Sequence, residues 1–459
     1  MHKKFGSWPF YKKALLLALP VMAQLLIQNL VSLIDNFMVA GLGDIKMSGV
    51  NVAGQFNMIY LVLTHIICLS GGIFMSQYNG AKAEKEMKHV FRFKLIVLSL
   101  VAIIYALFCS SGAKVALNFM VRGNTNAAEI VSQGSSYMRL LAFSWLPLPI
   151  AMAISTSMRE TGRVKVPLYI SVFATLVNTF FNWVLIYGNL GAPRLEVEGA
   201  AIATIIARGF EALAYIVYCY KKRPPFFIKL CTVFKVRLSL FKTILSKSGL
   251  ILVSEMSWIL VETFTASIYN GRGGAEVVSG MSAGFAISHL FTICISGVQT
   301  AIGVQLGGTL GAGKLEEARE HKIWFLNGAI VFGIIFGALS MLGVFIIPFV
   351  FVNLSEGAQS IARYMVLITA AYIGAWCYLN ALLGIARTGG DTLMGATMDV
   401  SINVFVVFPA IILLAKLTSF GPVVLYAIVK SSDFIKIAYA KIWLRNERWI
   451  KNLTNTNSD

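Results

Sequence analysis

Four polar residues in the first half of the sequence carry groups that could bind a small hard cation. Asp35 lies within an apolar run and has no basic residue near it in sequence. Asn178 and Asn182 are four residues apart, so they share one face of a helix. Thr204 adds a hydroxyl oxygen from a run of small residues. Carboxylate, amide and hydroxyl oxygens suit hard cations. We therefore predict a coupling-ion site at these four residues, for Na⁺ held by all four or for H⁺.

Pro20 precedes Asp35 by about four helical turns. Proline removes a backbone hydrogen bond and bends a helix, so Pro20 is the predicted hinge. An ion that binds Asp35 could then change which bend is preferred. Two simpler interpretations stay open. Asp35 could be solvated at the outer interface, and Asn178 and Asn182 could only tie helices together.

Two acids of the second half, Glu255 and Glu262, are seven residues apart and share a helix face. A charged group at the centre of a membrane helix costs roughly 2.5–3.5 kcal/mol on insertion scales, so this face should look into a wet cavity. We assign Glu255 to cation coupling. Two other roles remain open for it: a contact for cationic substrates, or a structural partner of a buried base such as Arg208.

Acids near aromatic side chains suit organic cations, which bind by charge pairing and by cation–π contact. This pattern predicts a cavity for small organic substrates. The residues that we assign to it are Gln24, Gln28, Trp258, Glu262, Asp391 and Asp399.

The elements that hold these residues must lie in lipid. Of 459 residues, 57% are hydrophobic and only 13% are charged, whereas a soluble domain averages about 25% charged residues. The net charge of +18 is spread in short bursts between apolar runs. That spread is typical of membrane topology and not of a nucleic-acid surface, so no nucleic-acid partner is expected.

The sequence has no nucleotide-binding loop, no catalytic Ser/His/Asp order and no metalloprotease motif, and its six cysteines are scattered. We expect neither an enzyme nor a bound cofactor, only a coupling ion.

Apolar runs long enough to cross a bilayer need roughly 20 residues. Twelve such runs predict an all-α membrane protein with helices near 14–38, 48–76, 94–118, 131–157, 166–188, 197–219, 244–269, 278–306, 323–350, 361–386, 394–416 and 420–443. Most Lys and Arg then fall in loops on one side, which places both termini in the cytoplasm. We expect a multi-pass protein of the plasma (inner) membrane.

The two halves repeat. A shift of 231 residues aligns 76–82 with 307–313, and a shift of 228 aligns Arg159 with Arg387 and Gly162 with Gly390. Each pair follows the same helix of its half. We predict two pseudo-symmetric six-helix bundles, residues 1–230 and 231–459, with a central cavity between them.

These features together resemble the multidrug and toxic compound extrusion (MATE) transporters, in the superfamily that includes lipid-linked oligosaccharide flippases. The resemblance covers nearly the whole chain. The motifs that carry it are Leu17 to Pro20, Asp35 to Met38 with Gly41 and Gly43, Gly80-Ala81, Arg159 to Gly162 with Pro167, Asn178 to Asn182 with Ile186 and Gly188, Gly199 to Thr204, Gly311 to Gly313 with Glu316 to Ala318, and Arg387 to Thr392.

The resemblance implies two bundles that form a V and an antiport cycle driven by Na⁺ or H⁺. One branch of the family holds its cation in the N-terminal bundle, which carries over to the four residues above, although Asn182 stands where that branch has a second acid. Another branch uses an acid of the seventh helix, which Glu255 matches. Ile251 stands where the second half usually has a proline like Pro20.

We therefore expect a monomeric exporter of small amphipathic, cationic organic compounds. A flippase for lipid-linked saccharides or another lipid-like substrate is the alternative. Such flippases tend to line their cavity with Arg and Lys, whereas the charges noted within the spans here are mainly acids.

Overall fold

The computed structural model describes residues 4–122 and 126–454, and this part of the chain is helical. Twelve helical segments form at the predicted places, and most extend beyond the predicted limits because their polar ends continue the helix past the apolar run. They are α1 (Trp8–Ala40), α2 (Asp44–Gly80), α3 (Glu84–Met120), α4 (Ala127–Trp145 with Leu148–Glu160), α5 (Lys165–Tyr187), α6 (Glu196–Lys222), α7 (Leu238–Asn270), α8 (Ala275–Gly311), α9 (Leu315–Val350), α10 (Glu356–Thr388), α11 (Leu393–Leu417) and α12 (Pro422–Trp443).

Ten of these helices are long and apolar enough to cross a membrane, and α4 also qualifies if its two parts, bent by 52°, form one span. Helix α12 is more polar because it carries Lys430, Asp433 and Lys436. Large apolar side chains such as Phe119 and Phe349 are about four-fifths exposed. Such exposure suits contact with lipid, and the fold is the predicted all-α, multi-pass membrane protein.

Helices α3, α4 and α11 are irregular at identifiable positions. Helix α4 bends where Pro147 separates its two parts. Helix α11 contains a π-helical turn, Asn403–Val407, which ends two residues before Pro409. Proline has no backbone N–H, so the carbonyl four residues before it loses its helical partner and the turn widens. Helix α3 has a similar turn at Phe108–Gly112.

The chain divides into two compact units, which are described separately. The first unit comprises Met1–Met22, Ser76–Lys82 and Ser246–Asp459, and the second comprises Ala23–Met75 and Ala83–Leu245. Helix α1 passes from one unit to the other just after Pro20. The assignment of 1–230 and 231–459 to two bundles stays a prediction.

The repeat is confirmed in the backbone. Lys82 and its equivalent Gly313 both have positive φ (56° and 77°), as do Gly162 and Gly390 (both 79°). The turn hydrogen bonds match as well. The bond from the Ala81 N–H to the Gln77 carbonyl corresponds to the one from Ala312 to Gly308, and the bond from Gly162 to Arg159 corresponds to the one from Gly390 to Arg387.

Within the first unit the repeated segments pack against each other. A Cβ atom at Gly80 would lie 2.1 Å from the Gly308 carbonyl oxygen, and one at Gly311 would lie 1.8 Å from the Gln77 carbonyl oxygen. The shift of 231 converts Gly80 into Gly311 and Gln77 into Gly308, so the two contacts are reciprocal. A local pseudo-two-fold axis therefore runs between the ends of α2 and α8, and only glycine allows this approach.

The chain after α12 is fixed to the same place. The fully buried Gln77 donates to the carbonyls of Thr388 (2.8 Å) and Lys451 (3.2 Å) and accepts from the Leu453 N–H (2.8 Å). Trp449 is buried beside Gly389, where no other residue would fit. These contacts join α2, α10 and residues 449–453.

Candidate functional site

The structure brings three of the four predicted cation ligands together in the second unit. The Asn182 side-chain amide donates to Asp35 Oδ1 at 2.7 Å and to Asn178 Oδ1 at 3.2 Å. Asn182 is buried, whereas Asp35 and Asn178 are half-buried. Helix α5 thus presents the Asn182 amide directly to the carboxylate of α1, and Asn178 joins the group through Asn182, on the same face of α5 as the four-residue spacing predicted.

One oxygen of this group has no partner. Within the described part of the chain, no donor reaches the buried side-chain carbonyl oxygen of Asn182. A buried polar atom left unpaired typically costs about 1–3 kcal/mol. This oxygen lies on the amide that contacts Asp35, where it could serve as a ligand for a cation bound by the carboxylate.

The fourth residue, Thr204, lies on α6 one turn from an apolar cluster. Three buried residues of α1, α5 and α6 form this cluster: Val39, Ile186 and Ala200. Each lies four residues, about 6 Å along its helix, from one polar residue of the predicted set: Asp35, Asn182 and Thr204 respectively. Residues four apart share a helix face, so Asp35, Asn182 and Thr204 each lie about one helical turn from the cluster.

Close packing of α5 and α6 supports this placement. A Cβ atom at Gly199 would lie 2.6 Å from the Leu185 carbonyl oxygen, so only glycine lets the two backbones approach. The Thr204 hydroxyl donates to the Ala200 carbonyl at 2.9 Å. Its lone pairs remain available to a cation.

Sequence reasoning missed Tyr137. This α4 residue packs against the same apolar cluster, and its phenol lies in the electrostatic field of Asp35. It is an oxygen-bearing side chain beside the predicted site. Nothing in the sequence near Tyr137 distinguishes it from the other tyrosines, because its role arises only when α4 packs on α1.

In the first unit, Glu255 is paired with a base. Its carboxylate accepts from Arg387 at 2.9 Å, and Arg387 is itself buried. The same guanidinium is 3.5 Å from the Ser254 hydroxyl, which in turn donates to Asp399. Of the roles open for Glu255, that of partner to a buried base describes its contacts, but the base is Arg387 and not Arg208. Arg208 pairs within its helix with Glu211 at 2.8 Å.

The pairing continues onto α12. The buried Asp399 lies 3.4 Å from Lys436, which is 3.9 Å from Asp433. Asp433 also accepts from Trp376 Nε1 at 2.8 Å. One turn earlier, Lys430 binds Glu262 and lies in the field of Asp433. Acids and bases therefore alternate from Glu255 to Glu262 through four helices.

A cavity of about 690 Å³ lies beside this network in the first unit. Glu262 forms part of its wall, together with Ser267 and Asn270 of α7 and Phe285 and His289 of α8. Cavities of this size are typical of sites for drug-sized ligands. The wall combines one acid, one imidazole and one aromatic ring with neutral hydrogen-bonding groups.

The other predicted cavity residues lie elsewhere. Trp258 is half-exposed on α7, Asp391 is buried and accepts from Trp443 Nε1 at 2.8 Å, and Asp399 is buried in the ion-pair network. Gln24 and Gln28 belong to the second unit, where the side-chain oxygen of the buried Gln24 has no partner among the described atoms. Of the six, Glu262 alone lines the cavity.

Sequence reasoning did not assign a role to the charged residues of α12, although their spacing within a predicted span indicated one. Lys430, Asp433 and Lys436 recur every three residues and so lie on neighbouring faces of the helix. Three charges in a predicted span would have indicated partners inside the protein.

Comparison with known sequences agrees with this arrangement. A sequence model of the MatE family matches residues 20–184. The chain is 27% identical over 317 residues to the probable multidrug resistance protein NorM of Halalkalibacterium halodurans, which covers 68% of this chain and 65% of that protein. It is 24% identical over 339 residues to the Thermotoga maritima protein of the same name, with coverage of 73% and 70%. The chain is similar to the MatE family over residues 20–184 and to these two NorM proteins over more than two thirds of its length.

A solved MATE structure in a bent conformation has the same fold as this chain. The TM-score is 0.82 at 18% identity, over 96% of this chain and 95% of the other. The alignment with the Halalkalibacterium halodurans protein spans just under two thirds of that protein. The fold implied by the sequence motifs is confirmed, and the MatE match over residues 20–184 supports the resemblance.

Proposed function

We propose that this chain is a secondary active transporter that exports small amphipathic, cationic organic compounds in exchange for Na⁺ or H⁺. One observation carries the proposal: in the part of the chain that the structure describes, no base is paired with Asp35. Other acids of the helices are paired with a base, among them Glu160 with Lys94, Glu211 with Arg208, Glu255 with Arg387, Glu262 with Lys430 and Asp399 with Lys436. Among the described side chains, no lysine or arginine pairs with Asp35.

A carboxylate inside a membrane protein needs a compensating charge. Those acids use a fixed base, whereas Asp35 accepts its hydrogen bond from the neutral amide of Asn182. A mobile cation would supply that charge, and the oxygens of Asn178, Asn182 and Thr204 would complete its coordination. Because this partner can leave, occupancy of the site can follow the ion gradient. Pro20 gives α1 a place to bend when Asp35 changes charge.

The relatives and the cavity support the proposed substrate class. Both compared relatives bear the name of probable multidrug resistance proteins, and the cavity wall offers Glu262 and an aromatic ring. A flippase for lipid-linked saccharides is less well supported. It needs free bases to hold phosphate groups, whereas Lys94, Arg208, Arg387, Lys430 and Lys436 are each paired with an acid.

We further propose that the protein works as a monomer in the plasma (inner) membrane with both termini in the cytoplasm. The charge bursts between helices support this orientation.

Transport in inverted membrane vesicles tests the proposed function. A fluorescent organic cation should accumulate inside vesicles when either a Na⁺ or a pH gradient is imposed, and vesicles without the protein provide the background. Loss of accumulation when one gradient is removed identifies the coupling ion. If neither gradient drives accumulation of any cationic dye, the export proposal is wrong, and lipid-linked saccharide translocation becomes the function to test.

A further inference from the structure

The ammonium group of Lys430 lies among side chains that suit the binding of a cation. Lys430 Nζ binds the Glu262 carboxylate and lies 5.3 Å from the centre of the Trp376 ring and 5.5 Å from that of Tyr426. A carboxylate with two aromatic faces is the set of groups that recognises organic cations. Trp376 is held in place by its bond to Asp433, and Tyr426 packs in a buried cluster with Tyr269 and Leu425.

Glu262, Trp376 and Tyr426 form a cage around the Lys430 ammonium group, and Glu262 also belongs to the wall of the cavity. The Glu262 side chain is 30% exposed and lines the cavity, whereas the Lys430 side chain is only 13% exposed and is not part of the wall. Lys430 therefore approaches the carboxylate from the protein side, and a ligand would approach it from the cavity. Both cations would compete for one negative charge.

We propose that the cavity binds organic monocations at Glu262 and that Lys430 is a built-in competitor that keeps their affinity low. The inference rests on the proposed function, since it names the substrate contact of that exporter. A ligand that pairs with Glu262 must weaken the Lys430–Glu262 bond. The negative charge of Asp433 then compensates the Lys430 ammonium group. Asp433 lies one turn further along α12 and already acts on Lys430 electrostatically.

Such competition would help a transporter to release its bound substrate. A site with an uncompensated acid and an aromatic wall would hold a cation tightly and release it slowly. With Lys430 present, a bound ligand replaces Lys430 as the partner of Glu262. Because the Lys430–Glu262 bond is lost in this exchange, the ligand binds more weakly and is released faster. The same arrangement makes Lys430, which does not line the cavity, the residue that determines selectivity between charged and neutral ligands.

Binding of two probes to the purified protein in nanodiscs tests the inference, with empty nanodiscs subtracted. The probes are tetraphenylphosphonium, a monocation, and triphenylphosphine oxide, a neutral molecule of similar shape. Lys430→Met should raise the affinity for the cation about fivefold and leave the neutral probe unchanged. Glu262→Gln should lower the affinity for the cation. The double variant should resemble Glu262→Gln, because without the acid the lysine has nothing to compete for.

Lys441→Met is the matched control, since Lys441 lies on the same helix but is exposed. Unchanged or weaker cation binding in folded Lys430→Met, or a gain for both probes, would overturn the inference. Should Lys430→Met fail to fold, Glu262→Gln decides alone: it keeps Lys430 beside Asp433, and wild-type cation binding would reject the role of Glu262.

These outcomes are separable from those of the proposed function. Binding in nanodiscs needs no ion gradient, so the affinity pattern can appear in a protein that fails to accumulate dye. Conversely, if vesicles accumulate dye but all variants bind the two probes with wild-type affinity, the export function stands and the proposed role of Glu262 and Lys430 is wrong.

Discussion

The Asn182 side-chain amide donates a 2.7 Å hydrogen bond to Asp35, which joins α5 to α1 at a carboxylate without a basic partner among the described residues. The bond ties the charge of Asp35 to a neutral group that can stay bound when a cation arrives. The proposed coupling site therefore depends on Asn182 for position and not for charge.

Asn182→Asp tests this dependence. Two carboxylates at hydrogen-bond distance cannot both stay ionised without a cation between them. We expect tighter binding of the coupling ion and slower turnover, seen as a lower half-saturating ion concentration in vesicle efflux. Asn182→Ala should instead weaken ion dependence while Asp35 remains. Identical ion dependence in all three proteins would remove Asn182 from the site.

The reciprocal glycine contact predicts a sharp contrast between neighbouring positions. Gly311→Ala would place a methyl group 1.8 Å from the Gln77 carbonyl oxygen, whereas a Cβ atom at Gly308 meets nothing within 4 Å. Overpacking typically costs about 1–3 kcal/mol, so Gly311→Ala should clearly lower the melting temperature in detergent. Gly308→Ala should be neutral or slightly stabilising because alanine favours helix. Equal effects of the two changes would contradict the described packing.

A surface ion pair should give a small, pH-dependent contribution to stability. Hydrogen bonds from Arg319 hold the pKa of Glu447 below its usual value. A lowered pKa stabilises the fold above the unfolded-state pKa and loses that effect as pH falls through the folded-state pKa. Glu447→Gln should therefore lower the melting temperature slightly at pH 7 and less at pH 4. Both groups are partly exposed, so water weakens the pair.

The Arg319→Gln background provides the control for that pair. There, Glu447→Gln should have no pH-dependent effect, since the donor is gone. An undiminished effect in this background would assign the stability change to another contact of Glu447.

The orientation of the chain can be read from one native thiol. Cys231, between α6 and α7, is exposed, and the other five cysteines are buried. If this segment is cytoplasmic, a membrane-impermeant maleimide should label Cys231 in inverted vesicles but not in intact cells. Leu190→Cys in a Cys231→Ser background should show the opposite pattern, because Leu190 follows α5 and is largely exposed. Labelling of Cys231 in intact cells would show that this segment is external and that the predicted orientation is wrong.

The sequence predicted the twelve helices, since each is an apolar run, and it predicted the repeat from Gly162, Gly390 and the segments around Gly80 and Gly311. It also brought Asp35, Asn178 and Asn182 into one group, because α5 presents the amides at helical spacing. The pairing of Glu255 with Arg387, 132 positions apart, depends on how α7 packs on α10 and leaves no local signal. The role of Tyr137 likewise follows only from the packing of α4.

The central claim is that a mobile cation at Asp35 drives export, and Asp35→Asn tests it most directly. The substitution keeps the shape of the side chain and its bond to Asn182 possible, and removes only the negative charge. Gradient-driven dye accumulation in inverted vesicles should fall to the background of protein-free vesicles, at normal protein abundance. Accumulation at the wild-type rate with an unchanged response to Na⁺ and pH gradients would contradict the account.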